Sequence, residues 1–104
     1  MTLPWREHPE ATDELLAAIR YYHRLQPGLG ERLAAEVARS IDDILWNPEA
    51  WPAVSGWDRM PFLRNRKVAG FPYRVVYLVR ANEIVIVAHA ATAKRPSYWK
   101  DRVS

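Results

Sequence analysis

The stretch Phe71-Pro72-Tyr73-Arg74-Val75-Val76-Tyr77-Leu78-Val79-Arg80-Ala81-Asn82-Glu83-Ile84-Val85-Ile86-Val87-Ala88-His89-Ala90 decides the fold. β-Branched and aromatic residues fill two runs, 75–79 and 84–87, separated by Arg80-Ala81-Asn82-Glu83, which is the pattern of two strands joined as a hairpin. A two-residue loop at Ala81-Asn82 pairs Arg80 with Glu83, Leu78 with Val85, Val76 with Val87 and Arg74 with His89. One face then carries Tyr73, Val75, Tyr77, Val79, Ile84, Ile86, Ala88 and Ala90 and is expected to receive helices. The other face runs through Val76, Leu78, Val85 and Val87 to Arg74 and His89, and function is expected on this open face at that end. The register is the sensitive point, because a slip of one residue would carry His89 to the opposite face.

Upstream of the hairpin, Arg59 to Lys67 reads as another strand with Pro61 near its start, broken at Ala69-Gly70. Residues 48–58, punctuated by Pro52 and Gly56, read as an ordered loop whose Trp51 and Trp57 serve as packing area. Two helices are expected before it. Pro9 suits the first helical position, with Glu10, Asp13 and Glu14 in the opening turn, and Leu15, Ile19, Tyr22 and Leu25 recur at helical spacing until Gln26-Pro27-Gly28. Leu33, Val37, Ile41, Ile44 and Leu45 form a second stripe ending at Asn47-Pro48, and the short Pro27–Gly30 connection makes the pair an antiparallel hairpin. Leu3 to Glu7 adds an edge strand, since Pro4 is tolerated only there. The expected fold class is therefore α+β: an N-terminal edge strand and an antiparallel helical hairpin packed on a small antiparallel β-sheet, with residues 1–104 as a single domain.

Charge divides this chain of 104 residues unevenly. Residues 1–58 hold five arginines and ten carboxylates, a balance of −5, whereas residues 59–104 hold ten lysines or arginines and two carboxylates, a balance of +8, giving the net +3. A basic half of this kind suits an acidic partner, either a phosphate backbone or an acidic peptide. The chain has no cysteine, which excludes disulfides and thiolate metal sites and fits a cytoplasmic location. Neither a signal peptide nor a membrane span is legible, so no membrane partner is expected. His8 and His23 have no partner at ligand spacing, so no metal is proposed; no Walker loop, Rossmann glycine pattern or serine elbow is present, and no cofactor is expected.

The chemistry-bearing residues gather at one end of the hairpin. Arg74 opens one strand and the other ends just before Lys94-Arg95-Pro96-Ser97-Tyr98-Trp99, so antiparallel pairing brings Arg74, Lys94, Arg95 and Tyr98 together. Arginines placed this way clamp phosphate, and a tyrosine stacks on a base or transfers a proton. His89, if it faces Arg74, is a candidate general base. Arg64, Arg66 and Lys67 of the preceding strand are, with Lys94, candidates for binding a nucleic acid or protein target.

Taken together, these residues resemble the RelE/ParE superfamily, the toxin components of type II toxin–antitoxin modules, also known as plasmid stabilisation proteins. The resemblance rests on Ile19-Arg20-Tyr21-Tyr22, Pro27-Gly28-Leu29-Gly30, Asn47-Pro48 with Trp51-Pro52, the Phe71–Tyr77 strand, and Arg95-Pro96-Ser97-Tyr98-Trp99, in the family's order. It implies the α+β fold above and a growth-inhibiting toxin neutralised by a cognate antitoxin that covers the basic face and helices, as a homodimer or a toxin–antitoxin hetero-oligomer. In RelE-like members, which cleave ribosome-bound mRNA, arginines matching Arg74 and Arg95 and a tyrosine near Tyr98 take part in catalysis. ParE-like members lack a complete catalytic set and poison DNA gyrase; the Phe-Pro-Tyr and Arg-Pro-Ser-Tyr-Trp elements look closer to this branch. The sequence departs from the pattern at Ala91, the usual histidine position, so either His89 substitutes or that residue is dispensable. A plain nucleic-acid-binding module using the basic C-terminal half is the reading outside the toxins.

Overall fold

The computed structural model describes residues 3–103. Its elements run β1 (Trp5–Glu7), α1 (Pro9–Leu25), α2 (Leu29–Trp46), β2 (Leu63–Lys67), β3 (Tyr73–Arg80), β4 (Glu83–Ala91) and a closing 3-10 turn, Lys100–Arg102. The sheet order is β1-β4-β3-β2. β2, β3 and β4 form an antiparallel meander, and β1 adds to β4 in parallel, which makes the sheet mixed. This is the expected α+β architecture with its edge strand. The parallel sense is open to β1 because two helices and two strands separate it from β4, so no hairpin constrains the pair.

Both helices start and stop where local chemistry dictates. Pro9 occupies the first turn of α1, where its missing N–H costs nothing, and the His8 ring accepts from the Glu10 N–H at 3.1 Å. Past Leu25 the chain turns through Pro27 and Gly28, whose φ of 87° is a left-handed value that glycine adopts without strain. Gly30 then lets the two helices meet closely: a Cβ built there would lie 2.6 Å from the Ile19 carbonyl oxygen.

Two cores result, one on each side of the sheet. On the helix side Leu33, Val37, Ile41 and Ile44 of α2 pack with Val75, Tyr77, Ile84 and Ile86, while α1 contributes buried Ala11 and Ala18 with Leu15, Ile19 and Tyr22 partly buried around them. Leu25 and Val79 stay exposed, beyond the ends of this layer. On the other side Leu63, Val76, Leu78, Val85, Val87 and Ala88 are covered by Trp99 and Val103, with Trp57 and Val54 packed against them. The face expected to be open is thus mostly a second core, closed by the chain's own C-terminal segment and the loop after α2. Trp51 joins the helix-side core, so both loop tryptophans are packing residues.

The hairpin register departs from the expected one at a single point. From the turn, where Ala81 and Asn82 both have positive φ, the pairs Arg80–Glu83, Leu78–Val85 and Tyr77–Ile86 follow expectation; beyond them Val76 pairs with Ala88, Val75 with His89 and Arg74 with Ala90. Val87 is therefore an extra residue, a β-bulge, and every side chain after it changes face. Ala88 and Ala90 move to the Trp99 side, and His89 moves to the helix side. The expected Arg74–His89 pair does not exist. β2 is shorter than expected and begins at Leu63, past Pro61, which has no N–H for a ladder. Its outer edge is occupied by the loop, with the Val54 N–H donating to Leu63 O and the Asn65 N–H to Pro52 O, each at 3.0 Å.

The close approach at Gly30 sets the sign of one substitution. Alanine is the better helix former by about 1 kcal/mol, yet Gly30→Ala forces the new methyl into the backbone of α1 and is expected to destabilise the fold by about 1–3 kcal/mol. Urea denaturation checks this; an unchanged or raised midpoint contradicts the packing of the helix pair.

Candidate functional site

Beyond the bulge, the end of the sheet forms a groove of about 470 Å³ between β3, β4, the loop at 52–55 and the segment after β4. Arg74 lines it from β3, and Lys94, Arg95 and Tyr98 line it from the C-terminal segment, so the four residues singled out in the sequence do meet. Lys67 pairs directly with Arg74 across β2 and β3, which puts its side chain on the same face. Directly opposed like charges destabilise a sheet. No compensating carboxylate is supplied: among the described residues none of Lys67, Arg74, Lys94 or Arg95 is in an ion pair.

Several of the cations outside the groove are paired with carboxylates. Arg6 pairs with Glu83 at 3.0 Å, Arg66 with Asp43 at 2.6 Å and Arg102 with Glu14 at 2.9 Å. Arg64 donates to the Trp51 carbonyl at 2.6 Å and lies over the Phe62 ring. Arg66 lies over Trp51 and also reaches Ser40. Arg64 and Arg66 thus hold α2 and its following loop against β2 on the helix side, away from the groove, while Lys67 stays with Arg74. The groove arginine is aimed rather than neutralised: Arg74 donates one N–H to Asn65 Oδ1 at 2.9 Å, and the Asn65 amide is turned toward the carbonyls of Pro52 and Ala53, each 3.5 Å away. One hydrogen bond leaves most of the guanidinium fork available for an anion.

His89 is on the far side of the strand. It is 3% exposed, and its Nε2 donates to the Glu7 carboxylate at 2.7 Å. That hydrogen bond, helped by one from Thr12 and opposed by burial, holds Glu7 below the usual carboxylate range. The Nδ1 of the ring is buried without a partner. His89 has no access to a ligand in the groove.

Tyr98 is also committed elsewhere. Its hydroxyl donates to Glu14 at 2.5 Å, and burial, reinforced by this bond to an anion, pushes its pKa well above the ordinary phenol value. The phenol is therefore a fixed neutral donor near neutral pH. Glu14 itself was not legible as a functional residue. It accepts from Tyr98, from both terminal nitrogens of Arg102 at 3.0 and 2.9 Å, and from the backbone N–H of His89 at 3.0 Å. Arg102 completes the arrangement by donating to the Val87 carbonyl at 3.1 Å. No motif joins residues 14 and 102; acidic residues in the first turns of a helix are ordinary, and only the fold brings the two together.

Among the described residues no group of three or more His, Asp or Glu could hold a metal ion. No helix there is long and apolar enough to cross a membrane. What the groove can do is bind an anion through unpaired cations above an apolar floor that includes Val76 and Trp99.

Comparison with known proteins bears on the family and the fold. A family model described as "ParE toxin of type II toxin-antitoxin system, parDE" matches residues 6–93. A solved structure titled "Chromosomal ParDE TA system from P. aeruginosa" contains a chain with the same fold, at a TM-score of 0.72 and 14% identity, covering 86% of this chain and 96% of that one. No curated protein matches.

Two measurements follow from the hydrogen bonds around the groove. Glu14→Ala strands the Arg102 guanidinium, whose side chain is only 10% exposed; a loss of about 3 kcal/mol is expected, and adding Arg102→Met should recover only the part due to the stranded charge, since the Val87 carbonyl, the His89 N–H and the Tyr98 hydroxyl stay unpaired. Equal losses in single and double variants by chemical denaturation would argue against the pair. Separately, Glu7 titrates below its ordinary value of 4.5 in the folded state, so the stability it adds is present above that pH and lost as pH falls through the depressed value. Glu7→Gln is therefore expected to flatten the acid side of the stability–pH curve; a curve parallel to the wild type contradicts the His89–Glu7 bond.

Proposed function

Because this chain belongs to the ParE toxin family of type II toxin–antitoxin systems, we propose that it arrests growth by binding DNA gyrase, without cleaving RNA. Membership in the family brings a cognate antitoxin as partner. The observation that carries the binding reading is the make-up of the groove: Arg74, Lys94 and Arg95 line it without an ion-pair partner among the described residues, Lys67 pairs with Arg74 beside it, and no described histidine, aspartate or glutamate is in its lining.

Ribonucleolytic attack by a ribose hydroxyl needs a group that takes its proton at neutral pH. The two candidates for that role are already engaged, His89 with Glu7 on the other side of the sheet and the Tyr98 hydroxyl with Glu14. Arg74 and Arg95 supply electrostatic attraction, which serves recognition as readily as catalysis. In this reading Ala91 needs no histidine. The antitoxin neutralises the toxin in the cytoplasm by laying an acidic segment along the same cations, an arrangement favoured by the charge separation between the two halves of the chain.

The experiment is a gyrase supercoiling assay run beside ribosome-programmed mRNA, with purified protein and an Arg74→Ala, Arg95→Ala variant. Inhibition of supercoiling, intact mRNA and a roughly tenfold or greater loss of inhibition in the variant are expected. Arg74-dependent cleavage of mRNA with supercoiling unaffected overturns the reading.

A further inference from the structure

We propose that the end of the sheet also holds a nucleoside phosphate, with the phosphate on the groove cations and the base in an adjoining cavity walled by tyrosines. This ligand is additional to the protein target and does not depend on the identity of that target.

The cavity, about 270 Å³, lies between α1 and the ends of β3 and β4. Tyr21, Tyr73 and Tyr98 line it with the small Ala17, Ala18 and Ala91, and its wall also includes His89 and Glu14, whose carboxylate is taken up by Arg102, Tyr98 and the His89 N–H. It shares Ala91, Lys94 and Tyr98 with the cationic groove, so the two adjoin around the end of β4. The rings are held before any ligand arrives. Tyr98 is tied through its hydroxyl to Glu14, and Tyr21 and Tyr73 both pack edge-on against Tyr22, at centroid distances of 5.1 and 6.3 Å.

Each half of the site asks for a different chemistry. Arg74, Lys94 and Arg95 without carboxylate partners attract an anion, and the arginine fork suits a phosphate. Fixed aromatic faces around an alanine-lined space suit a flat ring, and stacking on them is tolerant of base identity. Lys94 stands at the junction, its Nζ 5.3 Å from the Tyr98 centroid, where a phosphate and its attached base would part company. An acidic peptide satisfies the cations and leaves the tyrosine cavity without a purpose. A nucleoside phosphate uses both, and because it occupies the groove it excludes an acidic segment from the same cations.

The test needs neither gyrase nor antitoxin. Fluorescence anisotropy at fixed salt compares a short oligothymidylate with an abasic deoxyribose-phosphate strand of equal length. The strand with bases is expected to bind roughly fivefold or more tightly than the abasic one. The surface change Ala17→Leu, which touches the cavity and not the groove, should erase that preference and keep the abasic affinity, whereas Arg74→Ala should weaken both strands. Competition by thymidine monophosphate but not by ribose 5-phosphate marks a free nucleotide as the ligand; tight binding by the strand alone marks a nucleotide within a chain. Equal binding of the two strands overturns the proposal. So does a base preference that survives the cavity-filling Ala17→Leu change, or displacement by polyglutamate of a strand bound without base preference.

Discussion

β4 carries one residue more than β3 can pair with, and the backbone displaced at that point is held from outside the sheet by a single carboxylate and its partner. β1 stops at Glu7, opposite Ile86, so the outer edge of β4 loses its ladder where the bulge begins. Glu14 takes the His89 N–H there and Arg102 gives to the Val87 carbonyl. Buried backbone groups left without partners each cost about 1–3 kcal/mol, so this substitution of side chains for a neighbouring strand is what permits the bulge. Because Glu14 sits on α1 and Arg102 at the chain's end, the same interaction fastens the helix pair and the C-terminal segment to the sheet.

From this the character of the groove follows. The bulge puts Ala90 beside Arg74 where a regular ladder would put His89, and hands His89 to Glu7. Glu14 draws the Tyr98 hydroxyl toward α1 and fixes the segment bearing Lys94 and Arg95. Acid–base groups are thus drawn to the helix side while cations collect on the other. A site so divided is well made for holding an anion and poorly made for moving a proton.

Much of the architecture is legible in local chemistry. Pro9, Gln26-Pro27-Gly28 and Asn47-Pro48 mark helix ends that the folded chain respects, and the meeting of Arg74 with Lys94, Arg95 and Tyr98 follows from antiparallel pairing alone. What the residues conceal is the bulge, because Val87 and Ala88 are both acceptable strand residues and nothing local says that one of them goes unpaired. His89 is misplaced in a sequence reading for that reason. The second core is hidden by a similar ambiguity: Val76, Leu78, Val85 and Val87 alternate as a solvent-facing row would not, yet only Trp99 and Val103, well past the strands, show what covers them. Glu14 and Arg102 lie too far apart in the chain for any spacing rule to join them.

The central claim is that the extra residue lies at Val87 and turns His89 away from Arg74. Interstrand nuclear Overhauser contacts in the labelled protein measure it directly. Contacts joining Val75 to His89 and Arg74 to Ala90 are the predicted result; a contact pattern placing Arg74 opposite His89 would contradict it, and would return an imidazole to the groove.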